Sequence, residues 1–184
     1  MCSGTTNGLE VSQISGAGMP DHWQRLWAPH RMEYLKGDNR PLPGNEVECP
    51  FCRIPTLSDE EGLIVARGKS TYVVMNLFPY NAGHLLVCAL RHVADLTELD
   101  RDERDELSEM TAHAMTTLRK VAQPQGFNLG MNQGAISGAG IADHIHQHVV
   151  PRWAGDANFM PIIGKTKVMP VLLSQTRSEL AAAW

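Results

Sequence analysis

The chain has 184 residues and a formal charge of −4, from 16 basic and 20 acidic residues, with eight histidines left uncounted. That length suits one domain with a sizeable core, and the mild acidity excludes a global attraction to nucleic acid or acidic membranes, so an anionic ligand must be held locally. The opening MCSGTTNGLEVSQISGAGMP lacks the basic start and apolar run of a secretion signal, and no later run is long enough to span a bilayer. A cytoplasmic protein is expected, with its four cysteines as thiols or metal ligands.

In chain order, residues 1–20 are rich in Gly, Ser and Thr and read as a flexible tail. Residues 21–48 read as an extension packing on the body through Trp23, Leu26, Trp27, Met32, Tyr34 and Leu35, with Pro29 interrupting any long helix. DNRPLPGNEVE is a loop leading to Cys49. GLIVARG, STYVVMNLF and GHLLVCAL then read as three strands of an antiparallel meander, the last two joined through the turn residues of PYNAG. Leu107, Met110, Ala114, Leu118 and Val121 have the spacing of a core-facing helical stripe, and Asp100 with Glu103 predicts its capping box. GFNLGMNQG makes a fourth strand, AISGAGIAD a Gly-rich loop and the run DHIHQHVV a fifth strand. The body over 49–161 is therefore expected to be α+β, an antiparallel sheet of about five strands with one long helix. A C-terminal helical segment is expected over 162–184.

The run DHIHQHVV carries the chemistry. A strand lines His144, His146 and His148 along one side, whereas a helix would scatter them. A wet strand face accounts for any one histidine; three in alternation after a Gly-rich loop point further. Neutral imidazole attacks phosphorus and leaves again readily, so one histidine could carry a phosphoryl or nucleotidyl group while its neighbours bind oxygens or donate protons. Gly134, Gly138 and Gly140 would let backbone N–H groups converge on an anion. CPFC leaves several meanings open for Cys49 and Cys52: redox chemistry, simple burial, or two of the four ligands that tetrahedral zinc needs. Cys88 reads as a core residue, His84 as a packing residue with a role near the phosphates as the alternative, and His22, His30 and His113 as surface residues.

HIHQHVV resembles the signature of the histidine triad (HIT) family of nucleotide hydrolases and transferases. MNLFPYNAGHLLVCALRHVADL, FNLGMNQGAISGAGIADH and VVPRWAGDANFMP extend the resemblance in order over 49–161. LWAPHRMEYL and PRWAGDANFMP are similar to the bacterial branch associated with dinucleoside tetraphosphates, especially the actinobacterial diadenosine tetraphosphate phosphorylases. The resemblance implies a HIT-like fold and a catalytic row of His144, His146 and His148. In it His146 attacks the α-phosphorus to form a nucleotidyl-histidine, and His148 contacts the phosphate and helps protonate the leaving group. Asn76 takes the ribose-hydroxyl position and Asn132 a phosphate contact. Gly140 and Ile141 stand where relatives often carry Ser, Gln or Thr, so backbone amides of Gly138, Ala139 and Gly140 must serve. Arg152, just past the histidine strand, reads either as a positive charge for an anion or as an exposed structural residue. Gln147 replaces an apolar residue and should face away from the histidines, altering packing or a subunit contact.

By the same resemblance His92 and His144 join Cys49 and Cys52 around a closed structural Zn2+ that organises the strand and leaves catalysis to His146. No organic cofactor is implied, and a homodimer or higher homo-oligomer is. Phosphorolysis to ADP and ATP is favoured over hydrolysis of dinucleoside polyphosphates or AMP conjugates. A zinc-dependent hydrolase and a non-catalytic nucleotide-binding module are the remaining alternatives.

Overall fold

The computed structural model describes residues 49–156 and 170–184. The tail over 1–20, the extension over 21–48 and the histidines at 22 and 30 lie outside these residues, and the C-terminal segment is described from residue 170. Five strands, β1 (Ile64–Arg67), β2 (Thr71–Met75), β3 (Leu85–Ala89), β4 (Gly126–Gly130) and β5 (His146–Arg152), form an antiparallel sheet in the order β1-β2-β3-β5-β4. Among the described residues three α-helices accompany it: the short α1 (Pro50–Arg53), the long α2 (Arg101–Ala122) and α3 (Leu173–Ala183).

Alternation along the strands separates the two faces of the sheet. Val73, Met75, Leu85, Val87, Ala89 and Val149 pack with Leu107, Ala114 and Leu118 of α2 and with Leu180 of α3. The opposite residues, Tyr72, Val74, Leu86 and Cys88, pack with Ile64 and with Phe51 of α1. The predicted helix starts where its capping box places it: Asp100 accepts from the Glu103 N–H, and the Glu103 carboxylate accepts from the Asp100 N–H. Asp102 and Glu103 in the first turn and Arg119 and Lys120 in the last complement the helix dipole. α3 is pinned to β1 by buried Arg177, whose Nε donates to the Ile64 carbonyl at 2.6 Å while Glu60 and Asp59 receive its other nitrogens.

Two boundaries differ from the sequence pattern. β2 ends at Met75, because the Asn76 side-chain oxygen accepts from the Phe78 N–H at 2.9 Å and turns Asn76, Leu77 and Phe78 out of the ladder. His144 precedes β5, because the Ile145 N–H donates to Val93 at 2.7 Å and the ladder with β3 begins at His146. Among the described residues no helix is long and apolar enough to cross a membrane.

Candidate functional site

On β5, His146 lies directly opposite Cys88 and His148 opposite Leu86, so both imidazoles share the sheet face away from α2. Their rings meet edge to face at 5.0 Å. His146 Nδ1 is 2.8 Å from the His144 carbonyl oxygen. A carbonyl only accepts, so Nδ1 bears the proton and Nε2 keeps its lone pair. Burial holds His146 below the ordinary histidine range and lowers His148 to about 4, so both rings are neutral near pH 7.

His148 takes the other tautomer. The Tyr80 N–H donates to His84 Nδ1 at 3.0 Å, which leaves the proton of neutral His84 on Nε2. That nitrogen is 3.0 Å from His148 Nδ1, so His84 donates to His148, whose own proton sits on Nε2. His84 is fully buried at the entrance to β3. The sequence favours packing for it over a role near the phosphates and gives no sign of its contact with His148. The antiparallel pairing of β3 beside β5 is the signal that sets it next to His148.

A second cluster adjoins the row. α1 begins at Pro50, and the N–H groups of Cys52 and Arg53 both return to the Cys49 carbonyl, which brings the two thiols to one end of the turn. His144 donates from Nε2 to the Ala89 carbonyl at 2.8 Å, leaving Nδ1 free to ligate. Nδ1 lies 3.5 Å from each thiol sulfur and 3.3 Å from His92 Nδ1, and Cys52 Sγ is 3.3 Å from His92 Nδ1. The ligating atoms of Cys49, Cys52, His92 and His144 all fall within 4.8 Å of one another and could hold a metal ion. Arg91 braces the loop bearing His92 through a bidentate contact with Glu103 of α2. Phe51, between the cysteines, places its ring 5.6 Å from His144 and 4.7 Å from His146, so the two clusters touch.

The remaining expected residues divide. Gly134 and Gly138 adopt φ of +79° and +86°, which favours glycine, and flank the single turn Ala135–Ser137. Gly138 and Gly140 are half-buried, Ala139 is buried, and Ile141 packs against the cluster containing Phe51 and Cys88, so the loop meets the histidine face. Asn132 is half-buried beside it in sequence, while Asn76 is engaged with Phe78 and lies 3.3 Å from His84 through its amide nitrogen. Gln147 lies opposite Val87 and so faces away from the histidines, as expected. Cys88 is fully buried and His113 exposed, also as expected. Arg152 takes the second of its two sequence readings, the structural one. It forms a bidentate pair with Asp156 and reaches Asn128, six residues and roughly 20 Å along the strand from His146, so its charge is spent away from the phosphate loop.

This sheet, with a buried histidine strand and a glycine loop leading into it, matches the HIT domain over residues 59–155, and the chain belongs to the HIT family. Within that family it is 50% identical over 174 residues to the AP-4-A phosphorylase of Mycobacterium tuberculosis, covering 92% of this chain and 88% of the relative. Solved structures share the fold. A Zn-bound histidine triad family protein from Mycobacterium smegmatis has a TM-score of 0.59 at 23% identity, covering 74% of this chain and 92% of that one. A hypothetical histidine triad nucleotide-binding protein from Sulfolobus tokodaii has a TM-score of 0.60 at 21% identity, covering 73% and 91%.

Proposed function

We propose that this chain is a HIT phosphorylase that converts diadenosine tetraphosphate and phosphate into ADP and ATP. The 50% identity to an AP-4-A phosphorylase over 92% of the chain carries the substrate. The neutral His146 with its proton on Nδ1 supports the chemistry. His146 Nε2 attacks the α-phosphorus in line; a P–N bond forms, the bridging P–O bond breaks, and ATP departs with the bond's electron pair. His148 Nε2–H faces the same side and delivers a hydrogen bond or proton to the leaving oxygen. Phosphate then attacks the same phosphorus, an oxygen–phosphorus bond replaces the P–N bond, and ADP leaves His146 neutral again. Asn132 and the amides of Gly138, Ala139 and Gly140 hold phosphate oxygens, and Asn76 holds the ribose.

Cys49, Cys52, His92 and His144 are assigned to zinc. With Zn–S about 2.3 Å and Zn–N about 2.0–2.1 Å, the edges of a tetrahedron come to roughly 3.4–3.8 Å. Four of the six separations are 3.3–3.5 Å, close to these edges, and all six fall within 4.8 Å, which suits that donor set. Bound there, zinc supplies a closed structural link between α1, the loop after β3 and the start of β5. The HIT domain is taken as 49–161, and a reduced, cytoplasmic setting suits its thiols. A homodimer is proposed as well: β4 is the last strand of the sheet and carries exposed Leu129 on an open edge. A monomer by light scattering at working concentration contradicts it.

Hydrolysis is the second reading, favoured by the commitment of Arg152 to Asp156, which leaves the acceptor phosphate to backbone amides. Product analysis separates the two. Diadenosine tetraphosphate with phosphate is expected to give ADP and ATP, whereas AMP and ATP regardless of phosphate would establish hydrolysis.

A further inference from the structure

Tyr80 touches the His84–His148 pair in two independent ways. Its ring stacks on His148 at 5.5 Å with the planes 19° apart, and lies 4.8 Å from His84. Its main-chain N–H is the donor that fixes the His84 tautomer. The side chain is 50% exposed, so the ring is a cover between these imidazoles and water.

The surrounding loop holds that cover in place. The Asn81 amide donates to the Pro151 carbonyl at 3.0 Å and to Asp156 at 2.7 Å. Buried Gly83 has φ of +70°, and a Cβ there would sit 3.1 Å from Leu118. The loop ends are joined by the Asn76 N–H on the His84 carbonyl at 2.9 Å. Tyr80 is thus fixed from both sides of its own backbone.

We propose that Tyr80 is a positioning residue for His148: its ring and its N–H together hold His148 with Nε2–H directed at the leaving oxygen. This rests on the phosphorylase reading for the identity of that oxygen. An imidazole can rotate half a turn about its outer bond or exchange its tautomer, and either change would withdraw the proton from the reaction. The His84 hydrogen bond opposes tautomer exchange, and the stacked ring restrains rotation and excludes water. Among the described residues, the titratable side chains facing His148 are His84 at the entrance to β3, His146 on its own strand and Tyr80 in the loop. None of them supplies a carboxylate to favour imidazolium. Burial is the leading cause of the low value of about 4 at His148, and Tyr80 provides part of that burial.

The test compares Tyr80→Phe, Tyr80→Leu and Tyr80→Ala in the full chain. The His148 titration and tautomer are read by nitrogen-15 NMR, and kcat and KM are measured with diadenosine tetraphosphate and phosphate. Tyr80→Phe keeps the ring and should match the wild type in both. Tyr80→Ala should raise the His148 midpoint by about one unit or more. It should also lower kcat by about 10- to 100-fold while KM stays within about threefold. Tyr80→Leu fills the loop without a flat ring and should fall between. An unchanged His148 titration with unchanged kcat in Tyr80→Ala overturns the proposal. So does a loss in KM alone, which marks a substrate contact, or an equal loss in Tyr80→Phe, which assigns the effect to the hydroxyl. The NMR arm needs no substrate. A wild type inactive on diadenosine tetraphosphate would therefore refute the proposed function and leave the positioning of His148 separately decided.

Discussion

His146 and His148 are both neutral and differ in where one proton sits. His146 donates its Nδ1–H to a carbonyl, so its Nε2 shows a lone pair; His148 accepts a hydrogen bond on Nδ1, so its Nε2 shows an N–H. In the proposed mechanism these are the nucleophile and the proton donor, side by side and, among the described residues, without a charged partner. His146→Ala should lower turnover by roughly three orders of magnitude or more while folding normally, and His148→Ala should lower it less. Steady-state kinetics beside circular dichroism checks both, and near-normal turnover in folded His146→Ala sinks the mechanism. The His148 shift also has a stability consequence. Its folded value of about 4 lies below the ordinary histidine value of about 6.5, so the folded state binds fewer protons between them. That contribution is fully present above about pH 6.5 and is lost as the pH falls toward 4. In His148→Asn the urea midpoint should therefore fall less than in wild type between about pH 7 and about pH 4.5. The alternation of three histidines was plain in the sequence. The relay through His84 was not, because it depends on strand register and on a backbone N–H, neither of which any residue letter displays. The choice between two roles for Arg152 stayed open for a similar reason: Asp156 captures it only once the chain turns between them.

At the level of elements, β2, β3 and α2 were legible because each repeats its pattern long enough to show a period. α1 was not, since four residues make no period, although Pro50 at its start was a usable sign. β2 appeared too long in sequence because Asn76 competes for the backbone through its side chain. The start of α2 connects stability to the metal cluster. Asp100 caps the helix and reaches Arg91 only through its charge, whereas Glu103 also hydrogen-bonds Arg91, the neighbour of His92. Arg91 and its Ala94-side neighbours form the loop that presents His92, so release of Arg91 should loosen that ligand. Asp100→Ala should cost about 1 kcal/mol, a fall in Tm of about 2–4 °C. Glu103→Ala should cost a similar amount and also speed zinc loss to a chelator. Equal chelation rates in the two variants would show that the Arg91 brace does not govern the ligand.

For the whole molecule, the cluster of Cys49, Cys52, His92 and His144 joins three parts of the chain that are distant in sequence, His144 lying 92 positions after Cys52. Purified protein should contain about one zinc per chain, and Cys49→Ser should lower both zinc content and Tm. Metal analysis and thermal melting check this; metal-free wild type of normal stability removes the site. The central claim is the covalent passage through His146, and the stereochemistry at phosphorus tests it most directly. Diadenosine tetraphosphate made chiral by sulfur at the attacked α-phosphorus is converted by the wild-type enzyme with phosphate, and the configuration of the product is determined by phosphorus NMR. Two successive in-line displacements, each inverting, predict overall retention. Inversion would mean one direct displacement by phosphate or water, and would contradict a nucleotidyl-His146 intermediate.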